Sequence, residues 1–374
     1  MTQWNRRQLL KSLGITTAAL STAGCGLKAK RISADGSEHK SLSDSFIRLS
    51  SNENRFAPSD KIKQAMIKAI DQSYLYTPAY YKDLKAKIAK KENVNIENVL
   101  LVSGSNEGLR LTGLIYGRHG GEVVTSAPTY KALISYAQEF GGSVNAVPLN
   151  KDLKYDLDKM ESLVSHRTSM VFFCNPNNPT GTIVDPQKAL DFCSTVSTNT
   201  MVFSDEAYYD YIEESDYPSM VPLVMEGKNV IVSKTFSKVY GMAGVRVGYL
   251  IASPQLVNDM KPKVMSYVNA MGLAGASAAL DDDEFYRFSL KKNRDAKEHI
   301  YRVANDLSME YVKSHTNFVF VKTGMHVHKL NKLMLAEGIK VGRPFEPLTD
   351  WCRISTGTDD DMAAWETAMR KIFV

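Results

Sequence analysis

The segment Ser233-Lys234-Thr235-Phe236-Ser237-Lys238 sets a lysine beside hydroxyls. Arg246 follows eight positions later, after the small-residue run Gly241-Met242-Ala243-Gly244-Val245. A primary amine next to phosphate donors can hold a phosphorylated aldehyde as a Schiff base. In that arrangement Lys238 supplies the amine, while Thr235, Ser237 and Arg246 supply donors for the phosphate.

Other segments carry the remaining parts of a pyridoxal phosphate site. Asp205-Glu206-Ala207-Tyr208 follows a short apolar run. An aspartate at the carboxyl end of a strand reaches into a crevice. Paired with a pyridine nitrogen, Asp205 keeps that nitrogen protonated and makes the ring an electron sink. Tyr208 would donate to the ring hydroxyl, and so would Asn178, within Asn175-Pro176-Asn177-Asn178-Pro179-Thr180-Gly181. In isolation the first motif is also a helix cap with a packed tyrosine, and the second an ordinary tight turn. Gly104-Ser105-Asn106-Glu107-Gly108 stands where an apolar run gives way to a helical one, and free amides at a helix start bind phosphate. Tyr130, after Pro128-Thr129, is either a core aromatic or a platform for the cofactor ring. Arg353 sits in the apolar run Trp351-Cys352-Arg353-Ile354-Ser355. A buried arginine needs a partner, which is either an internal acid or a substrate carboxylate held bidentately.

These residues need a scaffold that brings them to one edge. From residue 97 short apolar runs alternate with longer amphipathic ones. Strands are predicted at Val99 to Val102, Glu122 to Thr125, Val144 to Val147, Met170 to Phe173, Met201 to Phe203, Val230 to Val232 and Gly244 to Ile251. Helices are predicted at Asn106 to Tyr116, Tyr130 to Phe140 and Pro186 to Cys193. That alternation predicts an α/β fold, with a mainly parallel sheet between helices. A long helical stretch from Val264 to Asn305 follows. Strands at Asn317 to Val321 and Arg353 to Ser355, with helices at Val327 to Glu337 and Asp360 to Ile372, then form a smaller α/β domain. Asp281 to Glu284 reads as an acidic helix start, and His326 and His328 as exposed side chains rather than metal ligands.

The 374 residues allow about two domains. Of the net charge of +5, six cations and no acid fall in residues 1–31, so the rest carries −1. A near-neutral body is not that of a nucleic-acid binder. Asn5-Arg6-Arg7-Gln8-Leu9-Leu10-Lys11 resembles a twin-arginine export motif, and the apolar run Leu13 to Leu20 is too short to span a bilayer. Thr22-Ala23-Gly24-Cys25 is similar to a lipoprotein box, which leaves lipid anchoring at Cys25 an open alternative to removal. The expectation is a periplasmic protein exported by the twin-arginine translocase. Cys174 and Cys193 lie in apolar segments and read as buried thiols rather than a disulfide pair.

Taken in order, the motifs resemble fold-type I pyridoxal phosphate enzymes of the class I/II aminotransferase superfamily, and most nearly the histidinol-phosphate aminotransferases. The resemblance runs from about Leu49 to Ile372 and includes Ser51-Asn52-Glu53-Asn54, Tyr76, Asn317-Phe318 and Arg353. It implies a seven-stranded large domain with a smaller C-terminal domain. The expected layout is signal peptide 1–25, polar tether 26–45, N-terminal arm 46–75, cofactor-binding domain 76–263, and long helix with small domain 264–374. It implies a Schiff base at Lys238 and proton shuttling by its released amine. The cofactor would be held by Ser105, Asn106, Tyr130, Asn178, Asp205, Tyr208, Thr235, Ser237 and Arg246, with Tyr76 reaching across a homodimer to the neighbour's phosphate. Asn54, Arg343 and Arg353 would meet the substrate. The activity implied is amino transfer from a small-molecule amino donor to a 2-oxo acid. An amino-acid phosphate decarboxylase of the same fold, or a non-catalytic binding module, are the alternatives. One departure stands out: the branch carries an aromatic hydroxyl after Asn-Glu-Asn-Pro, whereas here Arg55-Phe56 follows Asn54, a cation that would suit a phosphorylated substrate.

Overall fold

Twelve strands are found among the residues described by this computed structural model, 46–56 and 58–374. In chain order they are β1 (Ile47–Arg48), β2 (Val99–Val102), β3 (Glu122–Ala127), β4 (Ser143–Pro148), β5 (Thr168–Cys174) and β6 (Met201–Asp205), then β7 (Val230–Thr235), β8 (Gly248–Ile251), β9 (Glu310–Tyr311), β10 (Phe318–Lys322), β11 (Ile339–Lys340) and β12 (Trp351–Ser355). The expected signal peptide and tether, with Cys25, lie outside the described residues.

Seven strands form the main sheet in the order β2-β8-β7-β6-β5-β3-β4. Their apolar, β-branched runs are buried end to end in β2, β7 and β8, as expected of strands covered by helices on both faces. All neighbours are parallel except β8, which runs against both β2 and β7. The carboxyl ends of β2, β3, β5, β6 and β7 therefore point to one edge. That edge carries the loops holding Ser105, Tyr130, Asn178, Asp205 and Lys238. Ligands bind at this edge of open α/β sheets because the strand ends and helix starts leave a crevice there.

Three elements differ from the sequence reading. The strand after Lys238 begins at Gly248 and not Gly244, because Ala243–Val245 is a 3₁₀ turn and Arg246 takes a left-handed φ of 64°. Tyr130 precedes its helix, which starts at Ala132. The stretch from Val264 holds two helices, Ala270–Leu280 and Asp283–Asp306. Asp282 caps the second by accepting from the Phe285 amide, so the acidic cluster is a helix start. Five helices went unread: Asp60–Ile70 and Pro78–Glu92, whose exposed faces are mostly lysine and polar residues, and the short Leu157–Leu163, Val221–Met225 and Pro254–Met260.

A second core is built around Val319, Val321, Ile354, Ile300 and Trp365, under the antiparallel sheet β12-β10-β9. The N-terminal arm belongs with it: β1 pairs in parallel with β11, and Leu49 is wholly buried in this cluster. The backbone continues along β12, where the Ser355 amide donates to the Leu49 carbonyl. The arm thus delivers residues 50–54 to the space between the small sheet and the cofactor edge.

Behind the edge lies a buried ionic triad. Lys234 Nζ is 2.8 Å from Glu92 Oε2 and 3.5 Å from Glu206 Oε2, with all three side chains at most 10% exposed. Ser219 Oγ and the Met220 amide donate to Glu206, and Tyr249 Oη to Glu92. Removing the cation leaves two desolvated carboxylates facing each other. Lys234→Met is expected to destabilise the protein by roughly 3–5 kcal/mol, read as a lowered urea midpoint at unchanged slope.

Candidate active site

A cleft of about 260 Å³ opens at the carboxyl edge. Lys238, Asp205, Tyr208, Asn178, Tyr130, Ser105, Asn106, Ser237, Arg246 and Arg353 all line it. Residues more than 200 positions apart in sequence meet here because each ends a neighbouring strand or, for Arg353, faces them from β12.

Two lysines stand four residues apart in the same segment, and their surroundings assign opposite tasks. Lys234, paired with two carboxylates, is held in its charged form, its amine pKa moved up by Glu206 and Glu92 against the cost of burial. Among the described residues, Lys238 has no carboxylate in contact. Its Nζ donates to the Asn52 carbonyl at 2.9 Å and lies 5.3 Å from the Tyr208 ring centroid. Desolvation first, and then the Arg353 charge, push its pKa down to about 8, with Glu53 and Asp205 partly opposing. Lys238 is therefore the amine available as a nucleophile near neutral pH.

Asp205 is 3% exposed. It accepts from the Ala207 amide at 3.2 Å, and Cys174 Sγ lies 3.9 Å away. Burial, aided by the neighbouring Glu206 charge, lifts its pKa to about 7. A carboxylate in such a place lacks a cation, and a protonated pyridine nitrogen is one. Arg246 spreads over Gly104. A Cβ at Gly104 would lie 2.1 Å from Arg246 Nη2, and Gly104 itself has φ of +78°. Glycine is the residue that leaves room for the guanidinium at the start of the helix Ser105–Gly117. Arg246 Nη1 donates to the Ala243 carbonyl at 2.7 Å and reaches Ser237 Oγ at 3.4 Å, with no carboxylate partner among the described residues. A guanidinium, a hydroxyl and the amides of a helix start are a donor set for phosphate.

Tyr130 Oη donates to Asn106 Oδ1 at 2.6 Å, which holds its ring at the cleft wall. Tyr208 Oη accepts from Asn52 Nδ2 at 2.9 Å and, more distantly, from Asn178 Nδ2 at 3.5 Å. Arg353 is 8% exposed. It donates to Asn178 Oδ1 at 2.7 Å and the Ser50 carbonyl at 2.6 Å, while its Nε is buried without a partner.

Four expected residues do not line the cleft. Thr235 lies behind it, its hydroxyl accepting from the Ser237 amide at 3.1 Å, so it braces the loop. Asn54 donates to the Val239 carbonyl and Ser289 Oγ and faces a separate small hollow. Arg343 sits exposed beyond the rim, its guanidinium 4.3 Å from the Phe345 ring. Tyr76 is 93% exposed and makes no part of this chain's own cleft. Arg55 is likewise not a free cation: it forms a two-pronged pair with Asp361, at 3.0 and 3.4 Å. The cleft also holds Ser51, Asn52, Glu53, Cys174, Ala207 and Ala243. Of these, Asn52 was legible only as part of the Ser-Asn-Glu-Asn run. Its left-handed φ of 55° is a role asparagine fills more readily than most residues.

Comparison with known proteins agrees with this geometry. Residues 44–368 match the family model described as aminotransferase class I and II. The chain is 36% identical to a histidinol-phosphate aminotransferase of Moorella thermoacetica, covering 87% of this chain and 85% of the relative. It is 34% identical to the enzyme of that name from Bacillus cytotoxicus, covering 85% and 86%. The crystal structure of histidinol-phosphate aminotransferase from Sinorhizobium meliloti in complex with pyridoxal-5'-phosphate superposes with a TM-score of 0.81 at 27% identity, over 87% of this chain and 91% of that one. The chain belongs to the class I and II aminotransferases. It is a pyridoxal phosphate-dependent aminotransferase of fold type I, which moves an amino group between an amino acid or related amine and a 2-oxo acid.

When bound, the cofactor supplies an aldehyde for the amine and a ring that withdraws electrons. The chain's own residues do the rest. Ser105, Asn106, Ser237 and Arg246 would hold the phosphate, Asp205 the ring nitrogen, and Tyr208 with Asn178 the ring hydroxyl. With the cofactor bound, the Lys238 amine would be placed to move a proton within the cleft as base and then acid.

The lowered Lys238 pKa fixes the pH dependence of cofactor uptake. The uncharged amine is the reactive form, so its fraction falls as pH drops below about 8. The rate at which cofactor-free protein forms its lysine-linked visible band should rise with pH and level off above that value. A rate still climbing to the ordinary lysine range near 10 would show that burial does not depress this amine.

Proposed function

We propose that the enzyme takes an amine carrying an anionic group as donor and a 2-oxo acid as acceptor, both anchored through Arg353. The observation that carries this reading is the guanidinium of Arg353. It is buried in the cleft, bonded only to neutral oxygens, and has no carboxylate partner among the described residues. Arg343, also without an ion pair among them, packs on the other anchor of that corner, the Phe345 ring, which lies 5.3 Å from the Arg353 guanidinium. A buried cation inside the cleft, with a second exposed beyond its rim, suits a carboxylate or a phosphate. The names of the relatives make histidinol phosphate the first donor to try. Neutralisation of Arg55 by Asp361 removes it as a second phosphate ligand, so within the cleft the substrate anion falls to Arg353.

The twin-arginine motif and the short apolar run support an enzyme that works outside the cytoplasm, in the periplasm, with lipid anchoring at Cys25 as the alternative to its removal. The exposure of Tyr76, away from its own cleft, supports a homodimer in which it serves the neighbouring site.

Histidinol phosphate and a series of α-amino acids, added singly to loaded protein, should separate the donors by loss of the visible band and its return with a 2-oxo acid. Arg353→Ala is expected to weaken donor and acceptor alike by roughly 2–5 kcal/mol, the cost of removing one partner of a buried charge pair. Equal affinities in the variant would remove Arg353 from the anchor role. For export, Arg6→Lys with Arg7→Lys should retain the protein in the cytoplasm, as read by fractionation. Continued export of that variant would exclude the twin-arginine route.

A further inference from the structure

The direction of the Tyr208 hydroxyl hydrogen follows from which groups surround it. A phenol oxygen offers one donor and two acceptor positions. Both acceptor positions of Tyr208 face amide nitrogens, Nδ2 of Asn52 and Nδ2 of Asn178. Its own hydrogen is then left to point into the cleft.

That conclusion depends on each amide lying the right way round, and strand β12 fixes both. Arg353 can only donate, so the Asn178 atom it meets at 2.7 Å is the oxygen, and the nitrogen is turned to Tyr208. Two residues on, Ser355 does the same for Asn52. Ser355 Oγ accepts from the Asn52 main-chain amide at 2.9 Å, so its hydrogen goes to Asn52 Oδ1 at 3.0 Å. With the amide reversed, the buried Ser355 hydroxyl would have no acceptor, and Tyr208 would turn its hydrogen onto Asn52 and away from the cleft. Ser355 and Asn52 are 1% and 2% exposed, so no bulk water relieves either arrangement. Arg353 and Ser355 lie on one face of β12 because side chains two apart on a strand share a face.

We propose that Ser355 and Asn52 are positioning residues: the serine orients the asparagine amide, and the amide directs the Tyr208 proton to the ring hydroxyl of the cofactor. Asn52 has a second part in the same device. Its carbonyl accepts from both Lys238 Nζ and Asn317 Nδ2 at 2.9 Å, giving the amine a resting place when it is not bonded to the cofactor. One residue of the N-terminal arm therefore holds the two groups that must stay in register. This inference rests on pyridoxal phosphate bound at Lys238.

The test compares Ser355→Ala with Ser355→Thr, which keeps the hydroxyl. The readout is the pH midpoint of the visible band of loaded protein, with thermal unfolding of each variant as a control. In Ser355→Ala the amide is free to reverse, and the ring oxygen loses a donor. The proton on the Lys238 nitrogen is then held more tightly, and the midpoint should rise by about one pH unit, tenfold in proton affinity. Ser355→Thr should keep the wild-type midpoint. Asn52→Asp, which tolerates the left-handed backbone but lacks the amide donor, should raise the midpoint at least as far and provides the measurement if Ser355→Ala does not fold. With a cofactor analogue lacking the ring hydroxyl, the difference between the alanine and threonine variants should vanish. Equal midpoints in the alanine, threonine and wild-type proteins, each loaded and folded, would overturn the positioning role while leaving the cofactor assignment intact. Absence of any visible band in the wild type would overturn both.

Discussion

An amine can attack only when it is uncharged, and the architecture of this enzyme depends on making one lysine easier to uncharge than an ordinary one. Lys238 is desolvated and near cations, and no carboxylate touches its nitrogen. Four residues earlier, Lys234 is also buried but placed between Glu92 and Glu206. The same side chain is a fixed charge in one place and a nucleophile in the other. The separation is possible because β7 ends between them: Lys234 belongs to the strand, and Lys238 to the loop that returns the chain to β8.

The distribution of the other charges follows the same logic. Arg246 and Arg353 each stand in the cleft without an acid among the described residues, and Asp205 stands there without a basic partner in contact. Each unpaired group faces a charge that a phosphate, a substrate anion or a ring nitrogen would supply. Where a cation is not meant for a ligand, it is neutralised within the chain, as Arg55 is by Asp361. Buried charges are expensive unless paired, so the unpaired ones mark where ligands complete the structure.

The small domain does more than close the cleft. Through β12 it supplies Arg353 for the anion and Ser355 for the Asn52 amide, and the N-terminal arm laid along that strand brings Asn52 to Lys238 and Tyr208. Substrate anchoring and the proton positions at the cofactor edge are thus linked through a few hydrogen bonds spanning more than 300 residues of sequence.

Much of this was legible in the sequence. Apolar runs alternating with amphipathic ones determined a mainly parallel sheet, because only βα units bury such strands on both faces. The residue types at strand ends determined most of the cleft: Ser105, Tyr130, Asn178, Asp205, Tyr208, Lys238 and Arg353 all line it. Local spacing carries that information because each motif but that of Arg353 follows a strand of the main sheet, and parallel strands bring their ends together. What the sequence could not decide was pairing across the fold. Nothing near Arg55 announces Asp361, nothing near Lys234 announces Glu92, and nothing near Asn52 announces Ser355. Thr235 and Ser237 look alike in sequence, yet the turn after β7 places the first behind the cleft and the second on its wall. Charge state, amide orientation and access to the cleft depend on neighbours brought by long-range packing, and those only the tertiary structure supplied.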